Sequence, residues 1–237
     1  MWWIIITLTA SAVTPEELNK RLEDVKAFRS SRLVQAPKIS PEEYKKAAKG
    51  DVPTGLSAVP GYSAKKAYGL QIVNMPIGKL FAAVNDDMGK LEHTRLGYAK
   101  VLSGTPCESG RRVFQYLPLP MVSNRWWVSD FTVNEELIRS SNGRVREVTW
   151  ESVDPAGMAL GDAQVWADKG IPVTFNKGSW FLIDIDGSAT LVEYFAWSDP
   201  GGYLPSSLTN SMAAGGIKST IDAVRKVAEE GTRCPIQ

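Results

Sequence analysis

The chain has 237 residues, 43% of them hydrophobic and 22% charged, with a formal net charge of +1. This is the composition of a soluble globular protein of one large domain, or of a domain plus an extension. Near-neutral charge removes the electrostatic case for a nucleic-acid partner, and no block of like charges forms a polybasic membrane patch.

The first residues, MWWIIITLTASA, form a short apolar run ending in the small residues Ala10-Ser11-Ala12. The run is too short to cross a bilayer. It reads as an export signal over residues 1–12 that lacks the usual basic start, against the alternative of an apolar first strand. On the export reading the protein is periplasmic or secreted; otherwise it is cytoplasmic. Thr14-Pro15-Glu16-Glu17 then has the form of a helix start, with Thr14 as cap and Glu17 closing a capping box. Leu18, Leu22, Val25 and Phe28 follow at helical spacing. Ser40-Pro41-Glu42-Glu43 begins a second helix that Gly50 ends, and residues 51–63, rich in Pro, Gly and Ser, read as a connector. Residues 13–63 are therefore expected to be an N-terminal helical extension.

From residue 64 the pattern changes. Ala67–Val73 predicts a strand, and Met75-Pro76-Ile77 opens a helix that stops near Asn85-Asp86-Asp87. Strand-like runs follow at Leu96–Leu102, Arg111–Leu117, Arg125–Val133, Arg144–Val153, Pro172–Asp184 and Thr190–Trp197, separated by Gly, Pro, Asn or Ser loops. Asp186-Gly187 marks a tight turn between the last two. Residues 205–230 read as one long helix with Leu208, Met212, Ile217, Ile221, Val224 and Ala228 on one face. The expected fold is α+β: a long antiparallel sheet that curls, its concave side filled by the final helix, with a cavity between them. The domain is assigned to residues 64–231 and a tail to 232–237.

Catalytic signals are sparse. His93 is the only histidine, which argues against a histidine metal site and leaves any Ser-His-Asp relay a single candidate; no metal or other cofactor is expected. No nucleotide-binding loop or nucleophile-elbow motif occurs, and Gly201-Gly202 lacks the lysine and serine of a phosphate cradle. The carboxylate pairs Glu135-Glu136, Asp184/Asp186 and Glu229-Glu230 have the setting of turns and helix surface rather than of an acid/base dyad. Glu147, Glu151 and Glu193 lie within strands, and any that turns inward needs a partner because a lone buried charge is costly. The two cysteines, Cys107 and Cys234, have no metal-ligand spacing; they are either one disulfide or two free thiols.

Two stretches are more specific. Leu117-Pro118-Leu119-Pro120-Met121-Val122-Ser123-Asn124-Arg125-Trp126-Trp127-Val128 resembles a proline-rich segment with a Ser-(Asp/Asn)-Arg core found in START domains, the steroidogenic-acute-regulatory-protein-related lipid-transfer family. Asp199-Pro200-Gly201-Gly202-Tyr203-Leu204-Pro205, with Leu208 and Asn210, is similar to the turn by which that family enters its C-terminal helix. The resemblance spans about residues 65–230. It implies a helix-grip fold of the SRPBCC superfamily around a cavity for one lipid, with the loop Pro118–Val122 at the cavity mouth and the start of the last helix as the opposite lip. Two departures stand out: Trp126 replaces the motif's Asp, and Phe131 stands where several sterol-binding members carry a cavity-facing arginine.

Strand alternation groups Trp127, Ser129, Phe131 and Val133 on one face, and the absence of Asp130 from that face makes it the cavity side. Trp180, Leu182, Phe195 and Trp197 are further candidate linings, as are Leu208 and Met212 on the helix, although plain core packing explains any one of them. Gly215 and Gly216 sit within that helix, where each glycine costs about 1 kcal/mol relative to alanine. They leave room for a ligand, soften the helix, or allow it to pack closely on the sheet. The expected function is binding and transfer of one hydrophobic molecule, such as a sterol, hopanoid, phospholipid or carotenoid, without catalysis. The alternative is a polyketide cyclase or aromatase on the same fold, and a third reading is a ligand sensor. The expected partners are that hydrophobic molecule and, transiently, a membrane. The chain is expected to be a monomer.

Overall fold

The computed structural model describes residues 13–202 and 206–236, with side chains for all of these except 206–214. Two short helices come first among the described residues, α1 (Pro15–Asp24) and α2 (Pro41–Ala48), joined through a 3-10 turn at Lys26–Ser31. Both begin with a capping box, the one at Thr14 as its sequence predicts. The Glu17 backbone N–H donates to Thr14 Oγ1 (3.2 Å) while the Glu17 carboxylate accepts from the Thr14 N–H (2.8 Å), and Ser40 and Glu43 repeat the arrangement.

The remainder is built on a nine-stranded sheet: β1 (Thr54–Ser57), β2 (Lys66–Val73), β3 (Tyr98–Ser103), β4 (Arg112–Leu117), β5 (Asn124–Val133), β6 (Val145–Ser152), β7 (Gly170–Pro172), β8 (Phe175–Asp184) and β9 (Thr190–Asp199). The order is β1-β2-β9-β8-β6-β5-β4-β3, antiparallel throughout, with the short β7 parallel to β5 off this path. Helix α3 (Ile77–Asn85) follows β2, and the long helix α6 (Ser206–Glu230) follows β9.

Alternation along the strands divides the core into layers. On the concave face Val73, Val148, Leu182 and Val192 pack with Leu80 and Val84 of α3 and with Ile217, Ile221, Val224 and Ala228 of α6. Each fully buried side chain of this size contributes about 2 kcal/mol. The opposite, convex face is covered twice. Leu18, Val25 and Ala47 of the N-terminal helices lie on Leu70, Phe181, Ile183 and Leu191, while Leu160, Ala163 and Ala167 lie on Phe114, Trp126 and Val128.

The N-terminal extension is thus a layer of the fold, locked by buried charge. Glu193 accepts from Arg29 (2.5 and 2.9 Å), from Arg32 (3.2 Å) and from the Tyr44 hydroxyl (2.8 Å). Glu147 accepts from Arg32 (3.2 Å), Ser179 (3.0 Å), Asn134 (3.0 Å) and the Leu33 N–H (2.8 Å). The cationic partners that the two buried strand carboxylates require, Arg29 and Arg32, come from the residues between α1 and α2.

Four short elements lie where the sequence predicts loops or a longer strand. Thr54–Ser57 within the connector is an edge strand; α4 (Glu135–Ser140) is capped by Asn134, whose side chain accepts from the Leu137 N–H (3.2 Å); α5 is Gln164–Ala167; and β7 separates from the expected Pro172–Asp184 run. Elements this short carry too few residues for a period to show, and tertiary packing forms them.

Cys107, in the loop between β3 and β4, and Cys234, just beyond α6, are joined by a disulfide with a Cα–Cα separation of 5.6 Å.

Candidate functional site

Between the concave face and α6 lies a cavity of about 400 Å³. Its inner wall is aromatic. Trp127 and Phe131 come from β5, Trp150 from β6, Trp180 from β8 and Tyr194 from β9. Trp150 stacks on Tyr194 with centroids 5.7 Å apart at 22°, Phe131 lies at 26° to Trp150, and Trp180 meets Tyr194 at 4.1 Å. The Trp150 ring crosses the neighbouring strand because Gly178 is its register partner: a Cβ there would stand 2.3 Å from the ring and 2.2 Å from the Phe195 carbonyl oxygen. Opposite, α6 supplies Gly216, Ser219 and Thr220, and Leu117 and Leu119 close one side.

Polar groups gather on the rest of the lining. The Trp127 indole N–H donates to Gln115 Oε1 (2.8 Å). Lys90, in the 3-10 turn Gly89–His93, donates to the Val84 carbonyl (2.7 Å) and to Asp87 (3.2 Å), and Asp87 also accepts from Arg111 (2.5 Å). Burial lowers the Lys90 pKa against the opposing pull of Asp87. Asp87 is held below the ordinary carboxylate value, because the charges of Lys90 and Arg111 outweigh a burial effect that is the largest single cause. Burial pushes the Tyr194 phenol up. His93 Nε2 stands 2.9 Å from the Glu230 carboxylate at the end of α6. Thr94, Arg95 and Leu96 complete this side, and Asn176 stands on β8.

Of the residues singled out in the sequence, Trp127, Phe131, Trp180, Leu119 and Gly216 meet at this cavity. Ser129 shares their face but lies fully buried beyond the cavity, its hydroxyl without a hydrogen-bond partner among the described residues. Leu182 belongs to the packed core beneath α6. Phe195 and Trp197 are corrections. Both point to the convex face, where Trp197 donates to the Ala64 carbonyl (3.0 Å) and meets Tyr62 and Phe175 edge-on. The same alternation turns Tyr194 into the cavity. Glu193 shares the face of Phe195 and Trp197 and marks it as the outer one, the criterion that Asp130 supplies on β5. Gly215 is exposed and lines nothing described, and Leu208 and Met212 fall outside the described side chains.

Tyr194, Trp150, Gln115, Lys90 and Arg95 have no motif signal; the register of β4, β6 and β9 identifies the first three, and only the three-dimensional course of the loop after α3 brings in the last two.

The loop Pro118–Val122 borders the cavity through Leu119, while Met121 at its tip is fully exposed with φ of 63°. Arg125 ties this loop to the turn before α6. Its buried guanidinium donates to the Pro200 carbonyl (2.5 Å), the Gly201 carbonyl (2.9 Å) and the Ser123 carbonyl. Gly201 and Gly202 both adopt the left-handed conformation (φ 65° and 66°), which any other residue would strain. The other carboxylate pairs have structural partners: Asp184 and Asp186 accept backbone N–H groups of the β8–β9 turn, and Glu229 pairs with Arg225.

No protein-family model and no curated protein sequence matches the chain. Among solved structures, a STAR-related lipid transfer protein from Xanthomonas axonopodis superposes with a TM-score of 0.61 at 20% identity, covering 75% of this chain and 93% of the other. Human StAR-related lipid transfer protein 5 gives 0.60 at 12% identity over 91% of this chain and 97% of that one. Human STARD10 gives 0.59 at 14% identity over 88% and 81%. With its curved antiparallel sheet gripping a long C-terminal helix, the chain has the helix-grip fold of the START lipid-transfer domains.

Proposed function

We propose that this protein binds one hydrophobic molecule between its sheet and α6 and carries it between membranes. The observation that carries the reading is the cavity of about 400 Å³ faced by five aromatic rings, within the size range of small-molecule sites. The START fold supports it, since two of the solved proteins that share it are described as StAR-related lipid transfer proteins. The exposed Met121 at the tip of the Pro118–Val122 loop, with Leu119 reaching the cavity, supports brief contact of that loop with a membrane. The Cys107–Cys234 disulfide supports an oxidising compartment, periplasmic or secreted.

Organic extraction of the protein purified from its native host, followed by mass spectrometry, is expected to recover a hydrophobic ligand near one per chain. An empty extract together with no uptake of any lipid in a vesicle transfer assay overturns the reading.

A further inference from the structure

The charges around the cavity are of one sign. Lys90, His93 and Arg95 line it, and no carboxylate does so among the described residues. The segment 203–214, whose side chains are not described, contains no Asp or Glu. Two of the three are engaged, Lys90 by Asp87 and the Val84 carbonyl and the His93 imidazole by Glu230. Arg95, exposed on the loop leading to β3, has no hydrogen bond or ion pair among the described residues. Gln115 offers a donor as well. An indole N–H can only donate, so its bond to Gln115 Oε1 fixes the amide orientation and leaves the NH2 group available. The polar groups left open on the lining therefore include a guanidinium and an amide NH2, which seek an acceptor with negative charge. The inner wall is a row of mutually stacked rings, Phe131, Trp150 and Tyr194, whose edges favour edge-to-face contact with a flat unsaturated body.

Resting on the binding function proposed above, we infer that the ligand is a hydrophobic acid: an amphiphile with a flat, unsaturated body against the aromatic wall and one anionic oxygen head at Arg95 and Gln115. The cation stands at the wet end, where it needs no buried counter-charge when the cavity is empty, and an incoming acid supplies one.

The test uses the full chain, freed of lipid, and tryptophan fluorescence quenching by three probes: all-trans-retinoic acid, its methyl ester and palmitic acid. Retinoic acid is expected to bind at least tenfold tighter than methyl retinoate and tighter than palmitic acid, and only the acids are expected to weaken with added salt. In Arg95→Glu, and independently in Gln115→Glu, which retains an acceptor for Trp127, the tenfold acid-to-ester ratio is expected to fall to about one. Equal binding of acid and ester by the unchanged chain, or a ratio that survives both substitutions, overturns the anionic head while leaving the binding function standing. Palmitic acid equal to retinoic acid overturns the flat body. Failure of all three probes and of neutral lipids overturns the binding function itself, and this inference with it.

Discussion

Glu193 is a carboxylate with 3% of its surface exposed, in the middle of a strand, and its neighbours explain how it is tolerated. Burial alone raises its pKa. The hydrogen bond and charge of Arg29, the charge of Arg32 and the Tyr44 hydroxyl outweigh that and hold it below the ordinary value. A depressed folded-state pKa contributes stability that is complete above the unfolded value of about 4.3 and is lost as pH falls through that value toward the folded one. Glu193→Gln is expected to cost about 3 kcal/mol near neutrality, since it leaves Arg29 without its carboxylate and Arg32 with Glu147 alone. The same substitution flattens the fall of stability between pH 5 and 3 in denaturant titrations. An unchanged acid limb in the variant would assign that fall to other carboxylates. At this scale the sequence shows that Glu147 and Glu193 need partners if they turn inward. It does not show which residues supply them, because Arg29 and Arg32 are brought there by the docking of a separate layer.

At the scale of elements, α6 carries two glycines with different surroundings. A Cβ at either position meets nothing within 4 Å among the described residues, so close packing on the described sheet is not what requires them. Gly215 is exposed, whereas Gly216 faces the cavity. Gly215→Ala is expected to raise stability by up to about 1 kcal/mol with ligand affinity unchanged. Gly216→Leu fills part of the cavity and is expected to reduce ligand uptake at least tenfold without unfolding the protein, as read by a binding titration beside a thermal melt. Equal binding by both variants would mean that the ligand lies away from this turn of the helix. Most elements are legible in the chain, from the helix starts at Thr14 and Ser40 to the long terminal helix, because local spacing suffices to define them. The β5 face is legible too, since Asp130 marks the wrong side. On β9 the bulk of Phe195 and Trp197 points to the wrong face, where only the charge of Glu193 is a reliable guide. Bulk is shared by core, cover and cavity, but a charge in a strand distinguishes the faces.

For the whole molecule, the disulfide ties the loop between β3 and β4 to the end of α6 across 127 residues. Closing a loop of that length restricts the unfolded chain by about 4–5 kcal/mol in the chain-entropy view. Cys234→Ser is therefore expected to lower unfolding stability by about 4 kcal/mol, measured in denaturant, while reductant has no further effect on the variant. A loss under 1 kcal/mol would mean that the native arrangement gains little from the bond. Whether two distant cysteines pair depends on where the fold brings them, which is why spacing alone leaves the question open.

The strand order also sets a sequence of events. β2 pairs with β9 rather than with any strand made soon after it, and α6 follows β9 directly. During synthesis from the N-terminus, the part of the concave surface that lies beneath α6 therefore stays uncovered until the last fifth of the chain has emerged. The helix is the last element of the described chain to be made, so on the binding function proposed above a ligand met during synthesis has access to the aromatic wall before α6 and the disulfide close it.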